Sequence, residues 1–141
     1  MSAAFFDTNI VAYAADSSAE NTAKRDAARQ LMLTHSITIS TQVMLELYAV
    51  LRKKLCYSAE AADAWVRSLK DDTVVALTPS DVLEAIAISR RYEISHWDAL
   101  ILVAADKAGL DIVYTEDLNH GQTYGSVRVC NPFIEDFLAS K

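Results

Sequence analysis

Cysteine, proline and glycine are scarce in this chain, which has two, two and three of them among 141 residues. Cys56 and Cys130 lie far apart, and neither has a histidine or another cysteine at metal-ligand spacing, so the sequence excludes a structural zinc motif. Both cysteines fit a reducing compartment, and we expect them to be packing residues. No linker composition divides the chain. With a hydrophobic content of 52%, we expect one domain over residues 1–141.

Long apolar runs are also absent. No window approaches the roughly 20 apolar residues that a membrane-spanning helix needs. The amino terminus lacks the basic region and apolar stretch that together mark a secretion signal. We therefore expect a soluble, cytoplasmic protein with no membrane partner.

Positive charge is in short supply. Nineteen acidic residues against thirteen basic ones give a formal net charge of -6, which argues against a module that binds nucleic acid through phosphate contacts alone. The balance argues less against a metal-dependent enzyme, because bound cations offset acidic side chains. The basic residues cluster where the pattern predicts helix ends, which suits the helix dipole. These clusters are Arg52-Lys53-Lys54, Arg67 with Lys70, and Arg90-Arg91.

What the chain does have is an alternation of short β-like runs and longer helical ones. This order predicts an α/β fold with a parallel sheet. The predicted strands are Ala3–Phe6, Ser36–Ser40, Thr73–Leu77, Ile112–Tyr114 and Val127–Cys130. The predicted helices are Ala19–Leu33, Thr41 to about Lys54, Ser58–Leu69, Ser80–Arg91, one from Ser95 that Gly109 closes, and a short one from Pro132.

Four acidic residues stand in largely uncharged surroundings: Asp7, Glu46, Asp98 and Asp117. Asp7 and Asp117 follow predicted strands, at the strand ends where open α/β sheets bind ligands. Asp98 has apolar helical neighbours three and four positions on, so we expect it on an inward face. Buried carboxylates without basic partners are costly. Convergence on divalent cations would account for the whole set.

Carboxylate ligands of this kind suit magnesium, with manganese as a substitute. Two such ions about 3.5–4 Å apart stabilise the attacking and leaving oxygens when a phosphodiester is cleaved. The acids must come from different elements, since neighbours on one helix could not surround a cation. Crowded carboxylates also have raised pKa values until metal binds, which is typical of functional sites.

Four segments resemble, in the same order, the signature segments of PIN-domain ribonucleases, particularly VapC-type toxins. They are Phe6 to Ile10, Gln42 to Leu47, Ser95 to Ile101 and Tyr114 to Gln122, and Asn131-Pro132-Phe133 resembles the family's closing stretch. The resemblance spans essentially the whole chain. It implies a PIN-like three-layer fold with a central parallel sheet of about five strands flanked by helices. It also implies a magnesium-dependent endoribonuclease that cleaves RNA with metal-activated water, leaving a 5'-phosphate and a 3'-hydroxyl.

The family pattern also assigns residues and partners. Its catalytic and metal-binding acids would be Asp7, Glu46, Asp98 and Asp117. The residues that would support them are Thr8, Asn9, Thr115 and Glu116. Either Glu116 or Asp117 could reach the site as the fourth acid, and the Thr-x-Asp spacing favours Asp117. The resemblance further implies a homodimer and a small antitoxin whose tail enters the active-site groove.

Plainer interpretations exist for each acid. Asp7 could cap a helix that starts at Thr8, and Asp98 could belong to a capping arrangement with Ser95. Asp117 could belong to an ordinary turn, and Glu46 could be exposed. For the whole protein, one alternative is a non-catalytic PIN-like module that binds RNA or protein. Another is an aspartate-nucleophile phosphatase, which would usually carry a second aspartate where this chain has an asparagine.

Histidines and tryptophans receive no metal role. A magnesium site prefers oxygen ligands, so we interpret His96 and His120 as substrate-contacting or simply polar. Trp65 and Trp97 are expected to anchor packing rather than to stack on bases, because the aromatic-rich patches of single-strand binders are not evident.

Overall fold

Six strands form the sheet of this protein. They are β1 (Ala3–Phe6), β2 (Ser36–Ser40), β3 (Thr73–Val75), β4 (Ile112–Tyr114), β5 (Thr123–Tyr124) and β6 (Val127–Cys130). Their order across the sheet is β3-β2-β1-β4-β6-β5. All neighbours are parallel except β5 and β6, which pair antiparallel at one edge. The computed structural model describes residues 1–134 of the chain.

Within residues 1–134, six α-helices flank the sheet. They are α1 (Thr8–Ala14), α2 (Thr22–Thr34), α3 (Thr41–Lys53), α4 (Ala59–Ser68), α5 (Pro79–Tyr92) and α6 (His96–Lys107), with a 3-10 turn at Ala19–Asn21 before α2. α1 packs against α2 and α3, and α5 packs against α6. α6 contacts β2, β4 and β6, so this helix lies across the middle of the sheet.

The central strands are buried along most of their length. Phe5 and Phe6 of β1, Val113 of β4 and Val129 of β6 have no exposed surface. Short runs of this kind, apolar on both faces, are typical of parallel strands that helices cover on each side. This buried centre fixes the positions of the strand ends.

The strand order reverses direction at the β1–β4 pair, since β1 leads to β2 on one side and β4 leads to β6 on the other. In open α/β sheets, ligands bind outside the carboxyl ends of the strands at such a switch point. The residues that follow β1 and β4, Asp7 and Thr115, lie at this place. The backbone N–H of Asp7 donates to the carbonyl of Tyr114 at 3.0 Å, which extends the pairing beyond the strands.

The predicted α/β fold with a parallel sheet is confirmed, with some differences. Two-residue β5 was not predicted, and α1 was raised only as the helix that Asp7 could cap. β3 ends two residues earlier than expected. Residues 132–134 form turns and a bend, and the rest of the helix predicted from Pro132 lies outside the described residues. No helix among residues 1–134 is both long and apolar enough to cross a membrane.

Candidate active site

Asp7 begins the site because it joins β1 directly to α1. Its Oδ1 accepts the backbone N–H of Thr8 at 2.7 Å, so the side chain caps α1 as well as facing the crevice. Its Oδ2 accepts the hydroxyl of Thr115 at 2.7 Å. The residue is only 6% exposed. The capping interpretation is therefore confirmed for Asp7, and it leaves the carboxylate inside the candidate site.

Asn9 and Thr115 connect the segments that follow strands β1 and β4. The Asn9 amide nitrogen donates to Asp117 Oδ2 at 3.0 Å and to Thr115 Oγ1 at 3.3 Å, and it lies 3.5 Å from Asp7 Oδ2. The Thr115 hydroxyl also accepts the backbone N–H of Asp117 at 3.1 Å. One amide and one hydroxyl thus hold two carboxylates in a fixed relation.

Asp98 enters from the first turn of α6. The hydroxyl of Ser95 caps this helix by accepting the N–H groups of Trp97 and Asp98 at 3.1 and 3.5 Å. The side chain is half-buried. Within the described residues its carboxylate accepts no hydrogen bond and forms no ion pair. The oxygens of Asp98 are therefore available to a ligand.

Three of the four predicted acids converge. Asp7, Asp98 and Asp117 each offer a carboxylate oxygen, and these oxygens lie within 4.8 Å of one another. We call these three side chains the acid cluster. Glu46 of α3 is not among them. Its Oε1 accepts the Thr8 hydroxyl at 3.0 Å and the Gln42 amide at 3.2 Å, so it lies at the side of the cluster.

Burial and mutual repulsion shift the protonation of the acid cluster. Burial, helped by the charges of Asp117 and Asp98, raises the pKa of Asp7 to about 7, although the hydrogen bonds from Thr115 and Thr8 act to lower it. Burial also raises the pKa of Asp98, with added repulsion from Asp117 and Glu46. No lysine or arginine of the described chain forms an ion pair with these acids. Raised carboxyl pKa values in a cleft mark a candidate functional site.

Glu116 points to a different neighbourhood from Asp117. Its two oxygens accept the Tyr13 hydroxyl at 2.8 Å and the Lys24 ammonium at 3.2 Å. Lys24 also lies 4.8 Å from the centre of the Tyr13 ring. Glu116 is thus neutralised by a cation, whereas Asp117 joins the acid cluster. Tyr13 and Lys24 were not foreseen, because their partner is more than ninety positions away in sequence.

A groove of about 260 Å³ opens over the acid cluster. The residues that line it also include Gln42, Glu46, Tyr13, Asn21 and Lys54. Two buried amide oxygens, Asn9 Oδ1 and Gln42 Oε1, have no hydrogen-bond partner among residues 1–134. Unsatisfied oxygens and unpaired carboxylates are a donor set that fits a hard divalent cation with its waters.

Several residues differ from the sequence-based expectation. Trp97 is 58% exposed and lines the groove rather than packing in the core, whereas Trp65 packs against the core as expected. Cys56 is exposed, and only Cys130 is a buried packing residue. His120 accepts the backbone N–H of Asn131 at 2.9 Å, so it ties a loop.

A family model described as the PIN domain matches residues 4–125 of the chain. This range contains the acid cluster, Glu46 and every residue that contacts them above. A search of curated proteins gives no significant match.

Solved structures with similar folds cover almost the whole chain. VapC20 from Mycobacterium tuberculosis, described as a sarcin-ricin loop cleaving toxin, is 20% identical with a TM-score of 0.69, and the match covers 98% of this chain and 95% of that one. A toxin-antitoxin complex from Klebsiella pneumoniae is 20% identical with a TM-score of 0.67, covering 93% and 98%. VapBC2 from Rickettsia felis, bound to a DNA fragment of its promoter, is 17% identical with a TM-score of 0.62, covering 89% and 96%.

Proposed function

Because the chain belongs to the PIN domain family, we propose that it is a magnesium-dependent endoribonuclease of the VapC toxin type. The main support is the convergence of Asp7, Asp98 and Asp117 to within 4.8 Å, with no lysine or arginine of residues 1–134 paired to them. Gathering unpaired carboxylates is costly for a protein without metal. The same arrangement suits a site that grips divalent ions and phosphate.

Asp7, Asp98 and Asp117 would hold magnesium, with manganese as a substitute. When bound, the ion activates water and offsets the negative charge of the phosphate. The protein holds these ligands in place before any ion arrives. Thr115 donates to Asp7, and Asn9 donates to Asp117. Such outer contacts set the orientation of metal ligands.

Glu46 is suited to position the attacking water. Thr8 and Gln42 fix its Oε1, and its Oε2 accepts no hydrogen bond within the described residues. We propose that Glu46 accepts a proton from the water as the water oxygen bonds to phosphorus. The bond from phosphorus to the 3' oxygen breaks in line, and that oxygen takes a proton from solvent. The products are a 5'-phosphate and a 3'-hydroxyl.

We also propose an antitoxin partner and a homodimer. Support for the antitoxin comes from the similar folds of a toxin-antitoxin complex and of VapBC2, and a basic tail would suit a groove lined by acids. Support for the homodimer comes from the apolar side chains Val82, Leu83 and Ile86 of α5, which are 45%, 68% and 45% exposed. A second copy of α5 would cover them.

The test is cleavage of RNA by purified protein after removal of any bound inhibitor. Asp98→Asn and Asp117→Asn should lower the magnesium-dependent rate by more than the roughly 10- to 100-fold that follows loss of an outer contact to a metal ligand. Glu116→Gln should retain at least about tenfold more activity than Asp117→Asn, because Tyr13 and Lys24 hold Glu116 away from the cluster. A tenfold difference corresponds to roughly the loss of one contact to a metal ligand.

Asp106→Asn is the matched control, since Asp106 lies on the same helix as Asp98 but bonds to Ser126 on the surface. It should cleave at the wild-type rate. Circular dichroism must show that all variants are folded. RNA that binds with magnesium yet stays intact would favour a non-catalytic module, and an aspartyl-phosphate on Asp7 would favour a phosphatase.

A further inference from the structure

Trp97 is a large aromatic side chain left in water beside the acid cluster. It is 58% exposed and lines the same groove as Asp98, which follows it in the chain. Single exposed apolar residues are ordinary on protein surfaces. The position of this one is what matters, because tryptophan is highly buried on average and its indole offers the largest aromatic face of any residue.

The indole is held on a rigid support. The Ser95 hydroxyl accepts the Trp97 backbone N–H at 3.1 Å as part of the cap of α6. The His96 ring lies beside the indole, with ring centres 5.0 Å apart. A platform whose backbone is already fixed loses little conformational freedom when a ligand stacks on it. Trp97 and Asp98 are therefore presented together by one capped turn.

Within residues 1–134, the other aromatic residue that lines the groove is already engaged. The Tyr13 hydroxyl donates to Glu116, its ring meets the edge of Phe133 at 5.0 Å, and Lys24 lies over it. Trp97, in contrast, has His96 as its ring neighbour, and its indole N–H makes no hydrogen bond within the described residues. Of the two, Trp97 has a ring face open to the groove.

We propose that Trp97 stacks on the base of a nucleotide next to the phosphodiester held at the acid cluster. This inference rests on the function proposed above. Bases inside a duplex have both faces covered, whereas unpaired bases can be splayed out onto aromatic side chains. Stacking tolerates any base, because every base has an aromatic face.

RNA is favoured over a peptide as the occupant because of what lies beside the indole. A phosphate bound at the acid cluster would bring its own base towards the residue next to Asp98, since phosphate, sugar and base are covalently joined. Lys54 also lines the groove, where its ammonium can contact the phosphates of the strand. A peptide would need to supply an apolar group at this point independently.

The experiment uses the small number of tryptophans. The chain has two, so Trp65→Phe leaves Trp97 as the single fluorescent indole. The full chain is titrated with a short single-stranded RNA of mixed sequence. Calcium replaces magnesium in this titration, because it also binds carboxylate oxygens. We expect saturable quenching, and little quenching by the duplex of the same sequence.

Cleavage kinetics complete the test, with variants of Trp97 made in the protein that keeps Trp65. Trp97→Ala should raise KM for single-stranded RNA roughly 5- to 100-fold with little change in kcat, and Trp97→Phe should recover most of the loss. Unchanged KM in Trp97→Ala, with wild-type cleavage intact, would overturn the inference. A halved or doubled mass of Trp97→Ala in solution would also overturn it, because Trp97 would then serve an interface between protein chains.

The two proposals can fail separately. If the wild-type protein cleaves no RNA, the proposed function fails, and fluorescence still decides the role of Trp97. Quenching by single-stranded RNA but not by a basic peptide would support stacking. Absence of quenching by RNA, or quenching only by the peptide, would reject it.

Discussion

Asp7 makes the stability of the metal-free protein depend on pH. Burial raises its pKa from 3.8 in an unfolded chain to about 7. Between these values the unfolded chain loses the proton and the folded protein keeps it. The free energy of unfolding should therefore fall as the pH rises from about 4 to about 7, by up to about 4 kcal/mol from this group, and then level off.

Asp7→Asn should remove this contribution, because the amide does not titrate. Urea unfolding in the presence of a chelator, at about pH 4.5 and about pH 8, measures the difference between the variant and the wild-type protein. The variant should gain stability relative to the wild type only at the higher pH. Added manganese should then stabilise the wild type and leave the variant unchanged. Parallel pH curves for the two proteins would contradict the expectation.

The sequence positions of the acidic residues predicted that several of them would converge, but they did not predict the hydrogen-bond partners of each residue. Asp7 could be placed from its strand end and Asp98 from its apolar helix. The separation of Glu46 from the acid cluster depends on its hydrogen bonds to Thr8 and Gln42, which no spacing reveals. Trp97 was wrongly assigned to packing, because the lack of an aromatic-rich patch in the sequence does not show whether a single tryptophan lies in the core or lines a groove.

At the scale of elements, strands with strong apolar character were predicted well. β1, β2, β4 and β6 have the expected bounds. β5 has only two residues, which is too short to show the alternation of apolar and polar residues that marks a strand. It also follows Gly121, whose left-handed backbone indicates a turn. α1 was absent from the predicted helices and was raised only through the capping interpretation of Asp7, because it begins two residues after the end of β1 and the run of apolar residues there hides the change from strand to helix.

The cap of α6 links the stability of an element to the site. Ser95→Ala should cost about 1 kcal/mol of unfolding free energy and should also raise, severalfold, the magnesium concentration needed for half-maximal cleavage, because Asp98 lies in the capped turn. Ser58→Ala is the matched control, since Ser58 caps α4 by accepting the Ala61 N–H at 3.1 Å. It should show a similar loss of stability with an unchanged magnesium requirement. An equal magnesium requirement in the two variants would show that the α6 cap does not affect metal binding at the site.

At the scale of the whole molecule, the exposed apolar face of α5 predicts self-association. Light scattering should give twice the 15.5 kDa mass of one chain. Leu83→Glu should give a single-chain mass, because the proposed interface would then bury an unpaired carboxylate from each copy. Leu33→Glu is the control, since Leu33 is 74% exposed on α2. A monomeric wild type, or a Leu83→Glu variant that stays dimeric, would rule out this interface.

Asn9 bonds across 108 positions of sequence to Asp117, and β1 lies between β2 and β4 in the sheet. A chain still emerging from the ribosome therefore holds Asp7 long before it holds the partners that complete the cluster. Domains acquire their long-range contacts only when the contributing segments have been made. If the protein is the ribonuclease proposed above, it therefore stays harmless to its own messenger until Asp117 has been synthesised.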